Sequence, residues 1–87
     1  MEKPLAELKL GEEATIVAVR GGRGMQARLR NMGLVEGQVI RKLSALAWGG
    51  PVVVMVIRTQ VAIGRGMARK ILVRCRSDKD SGNAQKP

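Results

Sequence analysis

Histidine is absent from this chain of 87 residues, cysteine occurs once as Cys75, and Trp48 is the single aromatic side chain. Each shortage removes a class of chemistry. Without histidine and with one thiol, no set of nitrogen and sulfur ligands for a structural zinc can be gathered within one chain. No Ser-His or Cys-His pair exists, so triad-type nucleophilic catalysis is excluded. A single cysteine forms no internal disulfide, which agrees with a reducing compartment. The longest apolar run, PVVVMVI (51–57), is far too short to span a bilayer. The opening MEKPLAELKLGEE is acidic and weakly apolar, unlike a secretory signal. GGRGMQAR lacks the spacing and the terminal Lys-Ser/Thr of a P-loop, and GRGMAR reads as turn glycines. These absences together point to a cytoplasmic protein that is no enzyme and needs neither cofactor nor metal.

Acidic residues are also scarce where the chain is most basic. Residues 1–19 hold Lys3 and Lys9 against four glutamates, a balance of −2, whereas residues 20–76 hold twelve basic residues against Glu36 alone, a balance of +11. Residues 77–87 balance, which leaves the formal charge at +9. A central basic block suits an anionic partner: nucleic acid, an anionic membrane surface or an acidic protein. A solvated, solubilising surface would carry the same charge. Nucleic-acid barrels combine basic grooves with stacking aromatics. Here phenylalanine and tyrosine are missing, so only a phosphate-directed, sequence-blind mode remains open.

What is present is a succession of short β signals. The core must be built from Val, Ile, Leu, Met and Ala, and at this length it is thin, so a stability on the order of 5 kcal/mol is expected. Residues 1–12 place Leu5, Leu8 and Leu10 among charges and read as one helical turn that pins the N-terminus to the core. ATIVAV (14–19) reads as a strand closed by Gly21-Gly22. MQARLRNM (25–32) puts Met25, Leu29 and Met32 on one helical face. Gly33 then suits the left-handed residue that ends a helix, with Leu34 either closing back on it or projecting as a contact. Glu36-Gly37 reads as a tight turn. The second strand is QVIRKLSALA (38–47), and WGGP (48–51) is a hairpin connection. PVVVMVI follows as a central strand, Arg58-Thr59 as a two-residue turn and QVAIG (60–64) as the fourth strand. RGMAR (65–69) reads as one helical turn and KILVRC (70–75) as the last strand. RSDKDSGNAQKP (76–87) reads as a disordered polar tail. Five short strands with one short helix between strands 1 and 2 are too small for a sandwich. A closed or nearly closed small barrel handles its edges best.

RLRNMGLVEGQVI (28–40), then WGGPVVV, then VAIGRGMARKILV, resembles the FeoA family of ferrous iron transport accessory proteins. Arg28, Leu29, Met32, Gly33, Leu34 and Gly37 fit the family pattern in order. So do Gly49, Gly50, Pro51, Ala62, Ile63, Arg65, Ala68, Ile71 and Val73, and LAELKLGEEATIVAV fits the family's Leu-x-x-Leu-x-x-Gly opening. The resemblance covers residues 5–74. It implies a mainly β fold, an SH3-like five-stranded barrel spanning residues 1–75. The same fold resembles the C-terminal domain of iron-dependent repressors, where it is an interaction module. It also implies a cytosolic partner of FeoB, the membrane ferrous iron transporter. The chain departs from the pattern at Glu36, where the family has proline, at Gly64-Arg65-Gly66-Met67, and at Arg69, an acidic position in the family.

Arg23, Arg28, Leu34, Trp48, Arg65 and Arg69 are the candidate partner-binding residues, with Arg20 on the same basic surface. Arginine suits carboxylate and phosphate docking, and tryptophan is enriched at interface hot spots. An arginine offered in trans to a partner's G domain would be Arg23 in the GGRG turn. The alternative reading is a basic small barrel that binds nucleic acid, and a third is a metal-sensing regulator module.

Overall fold

The structure is a computed structural model that describes residues 1–45 and 50–75. Among the described residues, eight elements of regular α or β structure follow one another: β1 (Glu2–Pro4), β2 (Glu13–Val19), α1 (Arg23–Asn31), β3 (Val39–Ala45), β4 (Val52–Val56), β5 (Thr59–Ile63), α2 (Arg65–Ala68) and β6 (Ile71–Cys75). A 3-10 turn over Leu5–Glu7 links β1 to β2. All six strands form one antiparallel sheet in the order β1-β6-β2-β3-β4-β5. The 76–87 tail and Trp48 and Gly49 of the WGGP connection lie outside the described residues.

The β-branched runs make strands because a pleated surface accommodates branching at Cβ. In β4, Val52, Val54 and Val56 face inward and are buried, while Val53 and Met55 are half-buried. The expected central position holds, since β4 lies between β3 and β5. The core gathers Leu5, Leu8, Ile16, Leu29, Leu34, Ile40, Ile63, Ile71 and Val73 around that row. Burying each such Val, Leu or Ile side chain contributes about 1.5–3 kcal/mol.

Two features differ from the sequence expectation. The sheet has a sixth strand, because Glu2, Lys3 and Pro4 pair with Arg74, Val73 and Leu72. Three residues ending in proline carry no period-2 signal, so only the partner strand reveals them. The β4–β5 turn also lies one residue earlier, at Ile57-Arg58, since Val56 sits opposite Thr59. This register keeps Val56 inward and puts Ile57, 72% exposed, at the tip with φ +60°. Positive φ at the first residue of a two-residue turn is a position that favours glycine.

The helix end over residues 29–34 follows the expected form closely. The Leu34 amide donates to the Leu29 carbonyl (2.9 Å) and the Gly33 amide to the Arg30 carbonyl (2.9 Å). That pair of bonds is the Schellman closure, with Gly33 at φ +86° as its left-handed residue. A Cβ on Gly33 would lie 3.1 Å from Val56 Cγ1, a contact that Val56 must ease by a shift of a few tenths of an ångström, so glycine is favoured first by φ and then by packing. Gly37, at φ +90°, then donates to the Ile16 carbonyl (2.8 Å), and Ile16 donates to Gln38 (2.9 Å). The two glycines thus carry the chain from the helix straight into the β2–β3 ladder.

Candidate functional site

The sheet register sorts the charges into two regions. At the beginning of β2 the glutamates are occupied. Glu13 Oε2 accepts from Arg41 (2.7 Å), Glu2 Oε2 from Arg74 (3.0 Å) and Glu12 Oε1 from Lys3 (3.4 Å). Glu12 also accepts the Lys9 amide at 2.8 Å, and its contact with Cys75 is the first cause of its lowered pKa. Burial, then the Glu12 carboxylate, push the Cys75 thiol upward, away from the reactive thiolate.

At the other end of β2 the chain builds a basic corner. The Arg20 amide donates to the Lys70 carbonyl (2.8 Å), placing the residue after β2 beside the residue before β6. Gln26 Nε2 donates to the carbonyls of Val19 (3.3 Å) and Gly21 (3.1 Å), tying the first turn of α1 to the same strand end. Arg23 is the first residue of that helix, and no acidic residue stands in its first turn. Arg69 closes α2 immediately before Lys70. Arg20, Arg23, Arg69 and Lys70 are all exposed. A cation at a helix N-terminus is opposed by the helix dipole, so Arg23 adds to an already positive region. The arrangement can hold carboxylates or phosphates.

The sequence candidates separate accordingly. Arg23 and Arg69 come to the basic corner together with Arg20. Arg28 is exposed on α1 away from the first turn. Arg65 is half-buried at the start of α2, where its charge helps depress the pKa of Lys42. Leu34 is 1% exposed and closes the helix end from within the core, so its side chain offers no surface. Trp48 lies outside the described residues. Lys70 was not among the candidates; its place beside Arg69, at the boundary before the last strand, was the available signal.

Lys42 was also hidden among the basic residues. It is 5% exposed, and its Nζ donates to the carbonyls of Leu8 (2.7 Å) and Ala6 (3.1 Å). Burial first, then Arg65 and Lys3, lower its pKa. Alternation with Ile40 was the signal, since both face the core.

Among the described residues, no group of three or more His, Cys, Asp or Glu side chains is arranged to hold a metal. No helix among them is long and apolar enough to cross a membrane.

A small antiparallel barrel of the SH3-like type, carrying a basic corner, defines a class of small β domains. Within it, the FeoA domain model matches residues 3–75, and the chain belongs to the FeoA family. A Methanocaldococcus jannaschii protein named for Fe(2+) transport (transport protein A) is 37% identical over 70 residues, covering 80% of this chain and 83% of that protein. A crystal structure described as an iron uptake regulatory protein (FeoA) superposes with TM-score 0.82 at 33% identity, covering 87% of this chain and all of that one. A manganese-dependent transcriptional repressor superposes with TM-score 0.80 at 18% identity, covering 86% of this chain and 42% of that one, a likeness of fold alone.

Proposed function

We propose that this protein is a cytosolic, non-enzymatic accessory protein of ferrous iron uptake that acts by binding the FeoB-type membrane transporter. Membership of the FeoA family supports the transport role. The observation that carries the docking mode is the basic corner formed by Arg20, Arg23, Arg69 and Lys70, which the β2–β6 register assembles. Three glutamates lie at the other end of β2, paired with Arg41, Arg74 and Lys3, and Glu36 lies toward the corner, in the hollow with Val19 and Gln26. An acidic surface of the transporter's cytosolic part is the complement, and the rigid corner at residues 28–37 holds α1 in place beside it. Iron is the transporter's cargo in this reading and needs no site here.

The test is a titration of the protein against purified full-length FeoB in detergent, at about 0.15 M salt and at raised salt, where screening is stronger. Expected is saturable binding that weakens with salt, and a loss of about tenfold or more in the Arg69→Glu/Lys70→Glu variant. Absence of binding at low salt, with the transporter free, GDP-bound and bound to a GTP analogue, would overturn the proposal.

A further inference from the structure

The sheet ends in two edges that are protected very differently. β1, at one edge, is three residues long, contains Pro4 and carries Glu2 and Lys3. Short length, charge and proline are the usual protections of an edge against a further strand. β5, at the other edge, has none of them: Thr59, Gln60, Val61, Ala62 and Ile63 include no proline and no charge.

The hairpin register identifies which backbone groups β5 presents outward. Val56 and Thr59 close a two-residue turn and therefore form a hydrogen-bonded pair. Alternation along the antiparallel ladder makes Met55–Gln60 and Val53–Ala62 the non-hydrogen-bonded pairs. The N–H and C=O groups of Gln60 and Ala62 consequently point away from β4. Among the described residues, no backbone bond outside the sheet ladder uses any of these four groups. Both residues are exposed.

Beside this edge runs a groove lined by Met32, Gly33, Val56, Ile57, Thr59 and Val61, with the polar Asn31 and Arg58 also on it. It lies between the glycine-capped end of α1 and the β4–β5 hairpin. The strained Ile57 stands over it, 72% exposed. An added strand would send alternate side chains toward this groove, which suits apolar ones.

Charge selects the occupant. Between Glu36 and Arg76 the chain has no carboxylate, while Arg58 stands at one end of β5 and Arg65 and Arg69 follow its other end. A second copy of this chain, paired antiparallel about Val61, would set each Arg58 against the other's Gly64-Arg65. With +9 on each copy, that pairing is opposed. An extended segment with carboxylates at its ends meets the opposite situation.

We infer that β5 is a strand-addition edge. It takes an extended, acidic-ended segment of a protein partner, with apolar residues alternating into the groove beside Ile57 and Val61. The inference deepens the docking reading above and rests on the chain acting through a protein partner.

The probe is a capped peptide alternating valine and threonine between paired glutamates at each end, titrated into the whole protein and followed at each backbone amide by NMR. Expected is saturable binding with exchange of the Gln60 and Ala62 amides slowed about tenfold or more. A peptide N-methylated at alternate amides, and one with lysine for every glutamate, should each bind about tenfold more weakly or worse. Ala62→Pro removes an outward donor while leaving the β4 ladder whole, and should lose binding at an unchanged melting temperature. Should that variant misfold, Arg58→Glu, an exposed change, should reverse the preference between the acidic and basic peptides. No binding, equal binding of the N-methylated peptide, or protection confined to α1 or the basic corner would overturn the inference. FeoB binding by wild type that Ala62→Pro leaves unchanged would also overturn the edge as the transporter contact, while the docking proposal stands.

Discussion

Replacing Lys42 by methionine tests whether a buried cation holds the N-terminal segment to the sheet. The side chains are similar in length, so packing along the stem is kept while the ammonium is lost. Two carbonyls then lose their donor: Leu8 O, accepting at 2.7 Å in a buried setting, and Ala6 O, accepting at 3.1 Å where it is partly buried. An orphaned buried carbonyl costs about 1–3 kcal/mol and a partly solvated one less. Against this, a desolvated charge is removed, which returns part of the loss. The expected net effect is a destabilisation of about 1–3 kcal/mol at neutral pH, read as a lower urea midpoint at unchanged slope. The pH dependence gives a second, independent sign. Burial lowers the folded-state pKa of Lys42 below its ordinary value of 10.5, with Arg65 and Lys3 opposing the charge further and Glu12 partly supporting it. Between the lowered value and 10.5 the unfolded chain holds a proton that the folded chain has released. Wild-type stability therefore rises with pH through that window, by at most about 1.4 kcal/mol per unit. The methionine variant lacks this gain, so the gap between the two should widen as pH rises toward the unfolded value. A methionine variant as stable as wild type at neutral pH, or a gap that narrows on raising the pH, would refute the reasoning.

Gly33→Ala should cost about 1–2 kcal/mol in urea unfolding, since alanine must adopt φ > 0 and its Cβ meets Val56 Cγ1 at 3.1 Å; an unchanged midpoint would refute the glycine requirement. Ile57→Gly should raise stability by about 0.5–1 kcal/mol, because relief of positive-φ strain exceeds the added chain entropy at a side chain that is 72% exposed. A loss of stability there, measured by the same unfolding curve, would show that Ile57 is held by packing and not by the turn.

Legibility in the sequence followed the range of the interactions. The Gly33 closure, the tight turn at Gly37 and the short helix of RGMAR are set by residues within a few positions of one another, and each was readable. So was the strand character of the valine run. Glu2–Pro4 was not, because its only reason to be extended is β6, some seventy residues away. The turn at Ile57-Arg58 was misplaced by one residue because isoleucine is a poor turn residue. The register that overrides it is set by burying Val52, Val54 and Val56 together. The basic surface was readable as composition but not as a place. Arg20 and Lys70 become neighbours only through the β2–β6 pairing, and Leu34, which composition left ambiguous, is drawn inside by the helix closure.

The two ends of β2 also bear on why so basic a small domain keeps its charges segregated. Three of its glutamates bind back onto the sheet, and each does so across strands or from the segment leading into β2: Glu2 to Arg74, Glu13 to Arg41 and Glu12 to Lys3. The two exposed pairs, Glu2–Arg74 and Glu13–Arg41, add little stability, about 0–1 kcal/mol each. Their larger effect is on the field, since each glutamate occupied there is one fewer free carboxylate opposing the Arg20–Lys70 corner, where Glu36, in the hollow it lines with Val19 and Gln26, is the nearby counter-charge. A docking surface made this way attracts an acidic partner over about a Debye length and loses that attraction with salt, whereas a strand added along β5 would be held by backbone bonds that salt hardly touches. The two surfaces therefore predict different kinetics for one complex. Charge reversal at Arg69 and Lys70 should act chiefly on the association rate, and Ala62→Pro chiefly on the dissociation rate.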